Sequence, residues 1–312
     1  LAKNITINGK TVEPGERRYI DLRIARLPTH TVIDLPIYVS RAIEDGPTLL
    51  LTAGLHGDEI NGVEIIRRLI ADRSLKPARG TVIAIPVVNI YGFLQQARYL
   101  PDGKDLNRSF PGSKNGSLAA RVAHAIVDEI LPVIDFGVDF HTGGSSKDNF
   151  PQIRCVVGQP QNMALANAFA PPFILNSKLI DRSFRKAAHR RGKSIIVYEA
   201  GESLRFDEHA IQEGIAGTLR LMKHFGMLEQ APIPNQTVVF EKSTWIRARV
   251  SGLFRTNAQT GARVTRGQLI GTITDPFGES QIEIHSRQNG YIVGINHMPV
   301  VNAGDALIHL GH

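Results

Sequence analysis

Cysteine is almost absent from this 312-residue chain, with Cys155 the single example. No intrachain disulfide can form and no thiolate-built metal site is available, so a bound metal would have to be held by histidine and carboxylate. Long apolar runs are missing too. Those present are strand-sized and broken by Gly, Pro or charge, short of the roughly 20 residues that cross a bilayer, so no membrane role is expected. Residues Leu1 to Ile7 lack the apolar stretch of a signal peptide, and the expected location is cytoplasmic. There is no Gly-x-Ser-x-Gly elbow for a serine hydrolase. Helix-turn-helix, zinc-finger and aromatic RNA-binding signatures are absent as well. The formal net charge of +7 is scattered along the chain. That distribution argues against nucleic acid and suits an enzyme that draws in small carboxylate-bearing molecules. Gly192-Lys193-Ser194 is not a phosphate loop, because a strand-like run follows where a helix is required.

What is present is a hydrophobic share of 42%, enough for a large core, over about two domain lengths. Two β-branched runs, 18–24 and 31–39, read as antiparallel strands. Strand-like runs at 48–53, 81–88, 136–140, 152–157 and 194–199 then alternate with helical stretches at 58–72, 117–131, 160–169, 181–191 and 207–226. The pattern is that of an α/β fold, a mixed sheet with flanking helices. Pro232 and Pro234 mark a linker, after which only short strands punctuated by glycine remain. The expected division is a catalytic domain at 1–230, a linker at 231–236 and a smaller all-β, barrel-sandwich-like domain at 237–312. Gly261 to Gly271 resembles lipoyl and biotinyl carrier domains. The region that would carry their acceptor lysine, Glu279 to Ser286, has none, so no prosthetic group is expected there.

Four segments at or near strand ends carry the chemistry: Gly54-Leu55-His56-Gly57-Asp58-Glu59, Asp105-Leu106-Asn107-Arg108, Asp139-Phe140-His141 and Tyr198-Glu199-Ala200-Gly201. In α/β sheets ligands bind beyond the carboxyl ends of the strands. His56 and Glu59 form a local chelate and His141 closes it from another strand, a His, His, Glu set that suits one catalytic zinc per chain with a position left for water. Asp139 emerges from the same strand face as His141. It is the candidate carboxylate for fixing an imidazole from behind, with His56 as its expected partner. Glu199, at a strand exit, is placed to take a proton from the attacking water and pass it to a leaving nitrogen. Asn107 and Arg108 suit a substrate carboxylate, and Arg98 suits the amide carbonyl and its developing oxyanion. Of the other histidines, only His285 is a candidate to lean over the pocket from the C-terminal strands.

These motifs, in this order, resemble the succinylglutamate desuccinylase/aspartoacylase family within the wider zinc carboxypeptidase fold. The resemblance covers roughly residues 47 to 226, and the family's extra β domain looks like 237 to 312. It implies zinc at His56, Glu59 and His141, Glu199 as general base, and Arg98, Asn107 and Arg108 around the substrate. The continuation Ser109-Phe110-Pro111-Gly112 looks more like the bacterial deacylase branch, which includes enzymes acting on acetylated diamino acids, than like mammalian aspartoacylase. The expected activity is zinc-water attack on the amide of a small N-acyl amino acid bearing a carboxylate. The competing readings are a zinc carboxypeptidase acting on peptides or cell-wall fragments and a non-enzymatic ligand-binding module. A symmetric homo-oligomer is the base-rate expectation.

Overall fold

In the strand Glu44–Thr52, Leu50 faces one hydrophobic core while Leu49 and Leu51 face another. Alternation of this kind, with helices covering both faces, builds the centre of the molecule. The computed structural model describes residues 4–26 and 29–312. A hairpin of β1 (Ile5–Ile7) and β2 (Lys10–Val12) leads into β3 (Arg17–Arg26), β4 (Val32–Arg41) and β5 (Glu44–Thr52). The order continues with α1 (Asn61–Ala71), β6 (Arg79–Ile85), α2 (Ile90–Gln95) and a 3-10 turn at Leu106–Arg108. Next come α3 (Leu118–Glu129), β7 (Phe136–Gly143), β8 (Lys147–Cys155), α4 (Pro160–Phe169) and β9 (Phe173–Asn176). The helical part ends with α5 (Phe184–Arg190), β10 (Ser194–Glu202) and α6 (Glu208–His224).

The remainder is strand and loop: β11 (Val238–Phe240), β12 (Ser243–Arg247), β13 (Gly252–Thr256), β14 (Arg263–Val264), β15 (Leu269–Thr274), β16 (Gln281–His285), β17 (Gly290–Asn296), β18 (Val300–Val301) and β19 (Ala306–Gly311). The fold is therefore mixed α/β with antiparallel strands at the C-terminus, as the residue pattern predicts. The antiparallel pairing of β3 with β4 is likewise as expected. Among the described residues no helix is long and apolar enough to cross a membrane.

One path of hydrogen-bonded strands runs β12-β19-β17-β8-β10-β7-β5-β6-β4-β3. Its middle is parallel, β10 beside β7 beside β5 beside β6. Strand β8 lies antiparallel between β10 and β17, so the C-terminal strands β17, β19 and β12 continue the central sheet. A second sheet, β16-β15-β13-β18, closes a small core around Phe254, Ile273 and Leu307.

Three differences from the sequence expectations bear on the site. Strand β8 begins at Lys147, five residues before the expected 152, and this carries Lys147 and Asn149 into the sheet. Helix α1 begins at Asn61, after the residues of the His-Gly-Asp-Glu loop. The expected strand at 194–199 runs on to Glu202 with a register shift after Glu199. Bulges of this kind re-aim side chains next to functional sites.

Candidate active site

The site starts at the carboxyl end of β5. A turn in which Glu59 N donates to His56 O (3.2 Å) folds the loop so that the two side chains meet, with His56 Nδ1 2.7 Å from Glu59 Oε1. The loop is anchored by three backbone hydrogen bonds from two neighbouring segments: Val88 N donates to Ala53 O, Asn89 N to Gly54 O and Leu204 N to Asp58 O. Gly57 is there because nothing larger fits. A Cβ at this position would lie 1.8 Å from the backbone carbon of Gly92. Gly57→Ala is therefore expected to cost about 1–3 kcal/mol as an overpacking change, and to weaken the hold of His56 and Glu59 on any metal by displacing them. Thermal melts and a zinc titration check it. Wild-type values for both would show that the loop yields.

His141 reaches the same point from β7. Its Nδ1 is 2.8 Å from Glu59 Oε2, and Thr142 N donates to the same oxygen at 3.2 Å. One donor atom each from His56, Glu59 and His141 lies within 4.8 Å of the others, and all three residues are buried. Burial alone would discharge these groups, but their mutual attraction wins. Against burial, Glu59 and Asp105 raise His56 above its ordinary value, and Asp139 and Glu59 raise His141 well above its own. Against the same penalty, the two imidazoles hold Glu59 well below the usual carboxylate range. A cluster that so favours positive charge at its centre, with nitrogen and oxygen donors, fits a zinc ion.

Behind each imidazole stands a carboxylate, the arrangement that orients ligating histidines. Asp139 Oδ2 is 2.8 Å from His141 Nε2, while Thr52 Oγ1 donates to Asp139 Oδ1 at 2.6 Å. This corrects the expectation that Asp139 serves His56. Residues two apart on one strand share a face, and the nearer ring takes the carboxylate. The acid behind His56 is Asp105, whose Oδ1 is 3.3 Å from His56 Nε2. That contact is within ion-pair range but off the line of a hydrogen bond, so Nε2 has no linear partner. Asp105 also caps the 3-10 turn by accepting from Asn107 N (2.8 Å) and receives Arg98 through Nε (3.2 Å) and Nη2 (3.0 Å). Burial works against its charge, but His56 and Arg98 hold it far below the usual carboxylate range. Arg98 Nη1 is thereby brought to 3.3 Å from Glu59 Oε1.

Glu199 on β10 is directly opposite His141 in the parallel register. Its Oε2 accepts from Asn149 Nδ2 (2.8 Å) and lies 3.1 Å from an Arg154 nitrogen. Asn107 Oδ1 accepts from Phe184 N at the start of α5, so its amide nitrogen is the end left for a ligand, and Arg108 Nη1 donates to Asn107 O. His56, Glu59, His141, Asp139, Glu199, Arg98, Asn107 and Arg108 all line one cavity of about 420 Å³. His285 does not; it is exposed and 3.3 Å from Glu283.

Sequence reasoning missed Lys147, Asn149, Arg154, Arg185 and Trp245, which line the same cavity. Asp105 was visible in its motif, but its double role was not. Arg185 is buried and donates to the carbonyls of Arg154, Ser177 and Lys178. The cavity thus carries five cations, Arg98, Arg108, Lys147, Arg154 and Arg185, against the carboxylates of Glu59, Asp139 and Glu199. Each of those carboxylates already has protein partners, so the surplus charge favours an anionic ligand.

Comparison with known proteins places the chain among characterised folds and sequences. The succinylglutamate desuccinylase/aspartoacylase catalytic domain matches residues 45–225. The N-alpha-acetyl-L-2,4-diaminobutyric acid deacetylase of Halomonas elongata is 29% identical over 295 residues, covering 88% of this chain and 84% of that protein. The product-bound structure of the ectoine utilization protein EutE (DoeB) from Ruegeria pomeroyi superposes with a TM-score of 0.83 at 25% identity, over 95% of this chain and 94% of that one. A succinylglutamate desuccinylase/aspartoacylase from Rhodobacter sphaeroides gives 0.82 at 28% identity, again over 95% and 94%. Because the match to that catalytic domain spans more than half of the chain, the chain belongs to the succinylglutamate desuccinylase/aspartoacylase family.

Proposed function

We propose that this protein is a zinc-dependent amidohydrolase that removes the acyl group from a small, carboxylate-bearing N-acyl amino acid. The observation that carries the reading is the position of Glu199, opposite His141 in register and beside a three-donor cluster in a cavity rich in cations. The Halomonas relative, named as a deacetylase of an N-acetylated amino acid, supports the same reaction class.

His56 Nδ1, Glu59 and His141 Nδ1 would hold the zinc, which when bound supplies a Lewis acid and makes water easier to deprotonate. Arg108 and the Asn107 amide bind the substrate carboxylate and fix the amide in the cavity. Arg98, gripped by Asp105, points Nη1 toward the cluster and donates to the carbonyl oxygen as negative charge builds there. Glu199 takes a proton from the water that attacks the carbonyl carbon, then delivers it to the leaving nitrogen as the C–N bond breaks. The products are a free carboxylic acid and an amino acid.

The test is hydrolysis of a panel of N-acetyl, N-succinyl and peptide substrates by zinc-loaded protein, with and without chelator. Chelator-sensitive release of one acyl group is expected. Cleavage of peptides alone would overturn the deacylase reading in favour of a carboxypeptidase.

A further inference from the structure

The reaction proposed for this site uses the charged and polar residues of the cavity and leaves its apolar lining without a role. Tyr99, Ile180, Val197 and Trp245 are the larger apolar residues of its lining. Trp245 stands apart because it comes from β12, among the C-terminal strands, and because it is the only tryptophan in the chain. Its indole is stacked on the His309 ring, with centroids 4.6 Å apart and planes 6° from parallel. His309 is itself buried, and burial together with the charge of Arg154 pushes its pKa down to about 3. The imidazole is therefore neutral at ordinary pH and gives the indole a flat, fixed backing.

The sheet register ties this pair to the reacting groups. Trp245 is opposite His309 on β19, His309 is opposite Gly294 on β17, and Gly294 is opposite Asn149 on β8. Asn149 in turn donates to Glu199. The row closes up this tightly because position 294 has no side chain; a Cβ there would lie 2.7 Å from Asn149 Oδ1. One face of the indole is covered by His309, and what remains lines the cavity. An aromatic wall backed on one face by a fixed ring offers a large apolar contact with little ordering entropy left to lose.

We propose that Trp245 is a specificity-determining substrate contact supplied by the C-terminal strands, against which the hydrocarbon portion of the bound N-acyl amino acid packs. The proposal rests on the deacylase reading, and its test keeps the two separable. N-acetyl-L-2,4-diaminobutyrate, N-succinyl-L-glutamate and a series of N-acyl amino acids with longer acyl chains are first screened for hydrolysis by the zinc-loaded wild-type protein. A compound that is hydrolysed is then titrated into zinc-loaded Glu199→Gln protein, in which Trp245 alone provides the tryptophan emission. A saturable emission change with a midpoint near the wild-type KM is expected.

Trp245→Ala is expected to raise KM about tenfold, the scale of an aromatic anchor, with kcat and zinc content held within about threefold. Trp245→Phe, which keeps a ring on His309, should restore KM to within about threefold of wild type and also guards against a folding defect in the alanine variant. Emission that stays constant at saturating concentrations of a compound the wild type hydrolyses, or a wild-type KM in Trp245→Ala, overturns the proposal while leaving the deacylase reading in place. Hydrolysis of no member of the panel overturns both.

Discussion

Glu199→Gln is expected to lower kcat about 10²–10⁴-fold, the range over which a positioned general base contributes. The substitution changes little else. Glutamine keeps an oxygen to accept from Asn149 and Arg154, and it keeps the length of the side chain opposite His141. Glu199 is not among the three donors of the cluster, so zinc content should remain near one per chain. An interaction used only in the transition state lowers kcat and kcat/KM together, so KM should hardly move. Steady-state kinetics beside elemental analysis make the test. Activity within about threefold of wild type, at full zinc occupancy, would remove Glu199 from the base role, whereas loss of zinc would make it part of the metal site.

That Glu199 stands out in the sequence reflects where it sits. An apolar strand, Ile195 to Tyr198, delivers it to the sheet's carboxyl edge, and the same local signal places His56 after β5 and His141 at the end of β7. Local signals also give the alternation of strands and helices, because each element's apolar period is contained in its own residues. Pairing is different. Nothing within residues 147–155 announces that β8 lies between β10 and β17, and that placement brings Asn149 and Arg154 to Glu199 and Trp245 to the cavity. The partner of Asp139 is hidden from the sequence for a related reason. Its spacing to His141 fixes a shared face, but the presence of Asp105 behind His56 depends on a loop some fifty residues away in sequence. Helix α2 and strand β9 are six and four residues long, too short for a period to show.

Metal removal should abolish turnover, and the structure indicates which experiment shows it cleanly. Replacing His141 with Ala would remove a donor, but it would also strip a partner from Glu59 and from Asp139, each 2% exposed. Breaking buried pairs of this kind costs about 3–5 kcal/mol, so inactivity in that variant would not separate lost chemistry from lost structure. Chelation leaves every side chain in place. Activity is expected to fall to background with chelator and to return on adding one equivalent of zinc. Zinc in excess should also raise the melting temperature, since a ligand at 100 times its Kd stabilises the folded state by about 2.7 kcal/mol. Asp139→Asn grades the same effect. All three donors remain, but the carboxylate behind His141 becomes a neutral amide, and loss of such a partner typically costs about 10–100-fold in metal affinity or activity. The order wild type, then Asp139→Asn, then chelated protein should hold for activity, and the first two should differ in zinc affinity in the same direction. Full activity in protein stripped of metal would exclude the hydrolytic role proposed for the His56, Glu59 and His141 cluster. Full activity in Asp139→Asn with unchanged zinc affinity would show that Thr52 and Asp139 serve the fold of β5 and β7 alone.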